Sequence, residues 1–248
     1  MYYEELSPSP ALRPYVACLW RSASAGAPAG ASHRVLPDNC IDILWQDAGR
    51  AAFAVGMMTR AIHVPLGLPV RTVAVRFRPG AAGLFLGVPL HELTDLDVAV
   101  TEFRALGDVG RLSDQLWLDG IGDAGRLRLI EQHLLSRLQY IAPAGALVGA
   151  ALAALDHSGG ALRIESLVEQ LGVSRQHLAA QFRTHVGLSP KLYARIQRFR
   201  RATDLLKQPS PATVDWAQLA LDCGYFDQSH LINDFREFAD CTPESFGR

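Results

Sequence analysis

Side chains with chemistry to offer are unevenly spread along this chain. Between Val173 and Gln208 stand Arg175, Arg183, Lys191, Arg195, Arg198, Arg200, Arg201 and Lys207 against Asp204 alone, a local net charge of +7 in a chain whose formal total is −1. From Pro209 onward the balance turns to −5, with Arg236 and Arg248 against five Asp and two Glu. A basic stretch of this density suits a phosphate backbone, although a charge run is more often just a solvated face. Within it, Ser174, Arg175, Gln176, Gln181 and Arg183 can do more than neutralise charge. Arg and Gln make bidentate hydrogen bonds to guanine and adenine edges, and a Ser or the free N–H groups at a helix start can hold phosphate.

Nothing comparable supports catalysis. A cupin-like metal-dependent enzyme is the rival from another class, but it needs clustered His and Glu ligands. No H-x-H occurs, no Glu lies between Glu5 and Glu92, and no G-x-S-x-G elbow presents a nucleophile. The four cysteines, Cys18, Cys40, Cys223 and Cys241, are far apart and lack zinc or disulfide spacing. The expectation is therefore no catalytic residues, no metal and no cofactor. The start, MYYEELSPSPALRPYV, lacks a basic region followed by an apolar core, and no run of about 18 apolar residues occurs, so the reading is cytoplasmic with no membrane partner.

The elements that must position the polar side chains follow from periodicity. At 248 residues and 49% hydrophobic, the chain has material for two domains. Between residues 10 and 80, Gly and Pro cut it into short runs that alternate at period two, clearest in Ile41-Asp42-Ile43-Leu44-Trp45 and Val73 to Arg78. These predict antiparallel β, followed by a short helix over Ala81 to Gly87 and acidic loops around Asp95 and Asp97. From Asp123 the spacing of Leu127, Ile130, Leu134, Leu135 and Leu138 is helical, to about Tyr140, and a second helix spans Ala144 to His157 before Ser158-Gly159-Gly160. A boundary at or near Pro143 is expected, giving a β-rich domain over 1–120, a helical linker over 121–143 and an all-helical domain over 144–248.

The last ninety residues repeat themselves. With Gly172 placed over Gly224, Leu167, Val168 and Leu171 match Leu219, Ala220 and Cys223, while Leu178 and Phe182 match Leu231 and Phe235, one residue later in the second copy. Each copy continues Phe-Arg and reaches Ser189-Pro190 or Thr242-Pro243, a capping hydroxyl followed by a proline that loses no hydrogen bond in the first turn. Each unit thus reads as helix, glycine turn, second helix and capped third helix, the arrangement that projects a helix into a major groove. A plain bundle of α-hairpins is the bland alternative; the polar outer face of the first unit weighs against it.

Here the residues reach a resemblance. Val173-Ser174-Arg175-Gln176-His177-Leu178, Gly187-Leu188-Ser189-Pro190 and Gly224-Tyr225-Phe226-Asp227-Gln228-Ser229-His230 are similar to the AraC/XylS family of bacterial transcription regulators, over roughly Ala144 to Arg248. The resemblance implies a sequence-specific DNA-binding regulator whose two units enter successive major grooves, joined by a helix over Pro190 to Lys207. Its partners would be double-stranded promoter or operator DNA and RNA polymerase. Ser174, Arg175, Gln176, Gln181 and Arg183 would read in the first unit. Asp227, Gln228, Ser229, Ile232 and Asn233 would read in the second, with Asp227 equally well placed to cap its helix and His230 turned to the core. Lys191, Arg195, Arg198 and Arg201 would meet phosphate, unless some pair with the acidic tail. Ala180 and Asp240 depart from the family's usual Arg and Gly, and the acidic second unit is expected to bind more weakly.

Leu36 to Ile43, Val75 to Ala81 and Gly87-Val88-Pro89-Leu90 resemble an N-terminal domain of one branch of these regulators. By analogy with sugar-responsive relatives, it implies a barrel- or sandwich-like β domain that takes a small-molecule effector, and a homodimer formed through a helix such as Asp123 to Tyr140. Trp20, His33, Trp45, His63 and Arg76 are the pocket candidates, though aromatic residues on strands are more often core. The remaining alternative is a constitutive DNA-binding protein whose N-terminal half only dimerises. The fold class expected is α+β.

Overall fold

The computed structural model describes residues 2–28, 30–48, 52–141, 145–208 and 214–246. The expected boundary at Pro143 lies outside them. The first half is β-rich: β1 (Tyr2–Leu6), β2 (Val16–Ala25), β3 (Ser32–Val35), β4 (Ile41–Gln46), β5 (Ala52–Val55), β6 (Ile62–Pro65), β7 (Pro69–Phe77), then helix α1 (Ala82–Leu86) and β8 (Asp97–Ala99). Every pairing is antiparallel. Six strands form one open sheet in the order β1-β2-β7-β4-β5-β8, and β3 pairs with β6 in a separate two-stranded ribbon. With β1 and β8 at its edges the sheet is not closed into a barrel. Asp97, expected in an acidic loop, begins the edge strand β8; Asp95 does sit in a turn, accepting hydrogen bonds from Thr59 N at 2.7 Å and Thr59 Oγ1 at 2.7 Å.

Period two decides which face is core. Ile41, Ile43 and Trp45 of β4 stand opposite Phe77, Val75 and Val73 of β7 and are all buried. Helices cover this face. Phe85 of α1 meets Phe77 with ring centroids 5.1 Å apart, and α2 (Val109–Leu116) accepts the Trp45 indole N–H on Ser113 Oγ at 3.1 Å. Helix α3 (Asp123–Arg137) buries Leu127, Ile130 and Leu134 against β2 and β7. The segment expected as a linker is thus packed onto the sheet. The apolar stripe of α3 is consumed within the chain, and its outward positions, Arg128, Gln132 and Ser136, are polar.

The second half is all helix: α4 (Ala146–His157), α5 (Ile164–Leu171), α6 (Arg175–His185), α7 (Pro190–Leu206), α8 (Trp216–Asp222), α9 (Gln228–Ala239) and α10 (Pro243–Phe246). The two halves share one continuous buried core. Polar contacts stitch the seam. Thr94 Oγ1 donates to Gly187 O at 2.8 Å, the buried Asn39 donates through Nδ2 to Tyr193 O at 3.2 Å, and Arg200 donates to Asp38 O at 2.7 Å. Gly187 has φ of +91°, and a Cβ there would stand 3.0 Å from the Leu90 carbonyl oxygen. Both backbone conformation and space therefore demand glycine where the α6–α7 turn touches the β domain. Gly187→Ala is expected to lower stability by about 1–3 kcal/mol in a urea melt of the full chain; an unchanged midpoint would mean that this seam is not held closed in solution.

Candidate nucleic-acid interface

The first unit is built by local rules. Helix α5 ends at Gly172 in the left-handed region, Ser174 Oγ then accepts the His177 N–H at 3.1 Å, and α6 begins. Leu178 and Phe182 are wholly buried, so the face a half-turn away consists of Gln176, Ala180, Arg183 and Thr184, all exposed. Ser174, Gln176 and Arg183 therefore stand where expected. Gln181 is half-buried on the flank of that face, and Arg175 turns back to Glu165 of α5 at 2.9 Å. Both partners are well exposed, so this pair is weakly held and exchangeable for phosphate. Ala180 and Thr184 were not among the residues expected on this face; measuring the helical angle from Leu178 and Phe182 would have placed them there.

The second unit repeats the plan in acidic dress. Asp215 caps α8, Gly224 turns at φ +80° with its missing Cβ 2.7 Å from the Ala161 Cβ, and Asp227 Oδ1 accepts the His230 N–H at 2.7 Å to start α9. Asp227 thus caps α9, one of the two roles expected of it. His230 packs edge-on against Tyr225, centroids 5.4 Å apart, as its neighbour Leu231 enters the core. Ser229, Asn233 and Arg236 form the outward face, with Gln228 exposed beside them and Ile232 half-buried. Arg236 was not among the expected readers although the repeat aligns it with Arg183, and it has no ion pair among the described residues.

On the joining helix α7, two of the arginines expected at phosphate have partners within the chain, Arg195 by the stated alternative of pairing with the acidic tail. Ser189 and Pro190 start it as predicted, and Tyr193, Ile196 and Phe199 are buried along it. Arg195, however, reaches the buried Asp234 through Nη2 at 2.6 Å and Nε at 3.1 Å, holds Glu237 at 2.6 Å, and lies over Phe238 at 4.9 Å. These carboxylates keep the Arg195 guanidinium charged above its ordinary range, against the opposing effect of burial. Arg198 donates to Gly160 O at 2.9 Å and lies 5.3 Å from the Tyr225 ring centroid. Arg195 ties α7 to the carboxylates of α9, whereas Arg198 ties it to the turn after α4 and to the Tyr225 ring. Lys191 and Arg201 remain exposed and available to phosphate.

The five residues expected to line an effector pocket are not brought together. Trp45 faces α2 in the core, while Trp20 and Arg76 lie on the opposite face of the sheet, where a small cluster of Cys18, Trp20 and Ala74 packs. His33 and His63 sit exposed on the β3–β6 ribbon. Only Trp20 and Arg76 share a face. Arg76 grips Asp42 at 2.9 and 3.0 Å, yet burial outweighs this pairing and pushes the Asp42 carboxyl up to about 6. Among the described residues no group of three His, Cys, Asp or Glu could hold a metal, and no helix is long and apolar enough to cross a membrane.

This geometry separates two kinds of arginine. Arg195→Ala leaves Asp234 buried without its counter-charge and is expected to cost about 3 kcal/mol of stability in chemical denaturation. Arg183→Ala, with nothing to lose in the free protein, should stay within about 0.5 kcal/mol of the parent. Equal losses would contradict the division.

Residues 167–248 match a family described as a helix-turn-helix domain, and residues 4–99 match a domain of unknown function, DUF6597. An HTH-type transcriptional regulator of Haemophilus influenzae is 28% identical over 161 residues, 64% of this chain and 52% of the relative. The HTH-type transcriptional activator RhaS of Escherichia fergusonii is 28% identical over 88 residues, 36% of this chain and 31% of the relative. The chain thus spans about half the length of the first and about a third of the second. Among solved structures, ToxT from Vibrio cholerae superposes with a TM-score of 0.47 at 10% identity, covering 92% of this chain and 97% of ToxT. With the two units and their joining helix in place, the chain carries a helix-turn-helix domain of the AraC/XylS type behind an N-terminal DUF6597 domain.

Proposed function

We propose that this chain is a sequence-specific transcription regulator that reads DNA with α6 and α9 in successive major grooves. One observation carries the reading: the two helices bury equivalent Leu and Phe residues four apart, present polar faces outward, and are tied to one joining helix. A major groove about 12 Å wide admits such a helix edge-on. In the first groove Gln176 suits adenine and Arg183 suits guanine, while Ala180 between them leaves room for a base edge or thymine methyl to approach closely. The start of α6, with Ser174 and its free N–H groups, suits a phosphate, as does Lys191 at the start of α7.

The second groove is read by Ser229, Asn233 and Arg236, with Gln228 at the edge. Seven carboxylates in the described part of this unit, Asp215, Asp222, Asp227, Asp234, Glu237, Asp240 and Glu244, lower its attraction for phosphate, although Arg195 neutralises part of that charge at Asp234 and Glu237. The first unit therefore supplies most of the affinity and the second mainly adds discrimination. Control by a small-molecule effector rests on the resemblance alone, since the residues expected to bind one do not converge. The continuous core between the halves favours an N-terminal domain with a mechanical part to play, whether or not it also senses a ligand.

Selection of DNA from a genomic pool by the purified full chain, followed by footprinting, tests the reading. Two protected patches about 34 Å apart are expected. Arg183→Ala should weaken the selected site more than random DNA, whereas Lys191→Ala should weaken both and lower the salt slope by about one unit. No enrichment of any sequence, or uniform losses for both variants, would overturn it.

A further inference from the structure

We propose that Arg34 of the N-terminal domain is a positioning residue for the second reading helix, supplying in trans the C-terminal cap that α9 lacks. The proposal rests on the reading of α9 as a DNA-contacting helix, but its structural part stands without it. The first unit closes its own second helix: at the end of α6 the N–H groups of Val186 and Gly187 both donate to Phe182 O. At the end of α9, among the described residues, no following backbone N–H donates to the last carbonyls. The next residue, Asp240, is instead left-handed at φ +53° and places a carboxylate at the negative end of the helix.

Arg34 fills that gap from 205 positions away in sequence. Its Nη1 donates to Ala239 O, the final carbonyl of α9, at 2.9 Å and approaches Cys241 Sγ at 3.4 Å, while its guanidinium lies 5.2 Å from the Phe246 ring centroid of α10. A cation at this end satisfies an orphaned acceptor and opposes the helix dipole at once. Arg195 fastens the last two turns of α9 to α7 at Asp234 and Glu237, and Arg34 fastens its end to the β domain. Together these two anchors fix the rotation of α9, and with it that of Ser229, Asn233 and Arg236, about the helix axis.

The element carrying Arg34 adds the functional consequence. Strands β3 and β6 form a ribbon of four residues each, separate from the main sheet, and two strands alone are marginally stable in water. A change that orders or displaces this ribbon reaches α9 through Arg34, whereas the hold of the N-terminal domain on the first unit runs separately through Thr94 and Gly187.

The test compares the full chain with Arg34→Ala and Arg34→Lys by hydrogen exchange and by footprinting on DNA selected by the parent. Arg34→Ala should speed exchange at the end of α9 and in α10 at least about fivefold. Exchange in α6 should stay unchanged, the second protected patch should be lost and the first retained; Arg34→Lys, which keeps one cationic donor, should restore part of both. Unchanged exchange at the end of α9, faster exchange across both units alike, or equal fading of the two patches would overturn the proposal. If the parent selects no DNA, the functional reading falls, while the exchange result still decides whether Arg34 caps α9.

Discussion

Two reading helices discriminate DNA jointly only if the spacing and rotation between them are set before binding, and here that constraint falls on one charged contact. Arg195 on α7 meets a carboxylate, Asp234, that is completely buried on α9. A carboxylate taken out of water needs a partner, and Arg195 is the ion-pair partner the structure provides. The aromatic layer of Phe199, Phe235 and Phe238 around it is held by the same apposition of α7 and α9, with centroid separations of 5.0 and 5.4 Å. The contact therefore gives direction to what apolar packing alone would leave free to slide.

The rest of the chain is arranged around that helix pair. On the other side of α7, Tyr193 is buried and donates its hydroxyl to Asp156 of α4 at 2.7 Å, and burial with this neighbouring carboxylate raises the phenol well above its ordinary range. The β domain touches the same helix through the Asp38-Asn39 turn and touches both reading units near their ends, at Gly187 and Ala239. A domain that contacts all three parts of a two-unit reader acts as a brace, and any signal it receives has a direct mechanical route to the DNA-facing helices.

Much of this was legible in the residues because the features are local. Ser174, Ser189, Asp227, Pro190 and Gly172 act at helix ends through their own side chains and backbone preferences, and the repeat places Leu178 and Phe182 over Leu231 and Phe235 without reference to any other part of the chain. The period-two pattern of β4 and β7 likewise identified strands. What failed was non-local. Nothing in the spacing of Arg195 or Arg198 reveals that Asp234 and Gly160 O will meet them, and a list of strand aromatics cannot tell which face each occupies, so Trp20 and Trp45 were grouped although the pleat sends them apart. Helix α2 was not foreseen, and α3 was given a free apolar face because the sheet it covers is more than forty residues earlier in the chain.

The most direct test of the fixed pairing is a distance measurement between spin labels carried at positions 184 and 233, one on each reading face, in the free full-length protein. A single narrow distribution, unchanged when selected DNA is added, is what a preset pair of units predicts. A broad or multimodal distribution that sharpens only on DNA would contradict it and would mean that the DNA, not the protein, sets the spacing.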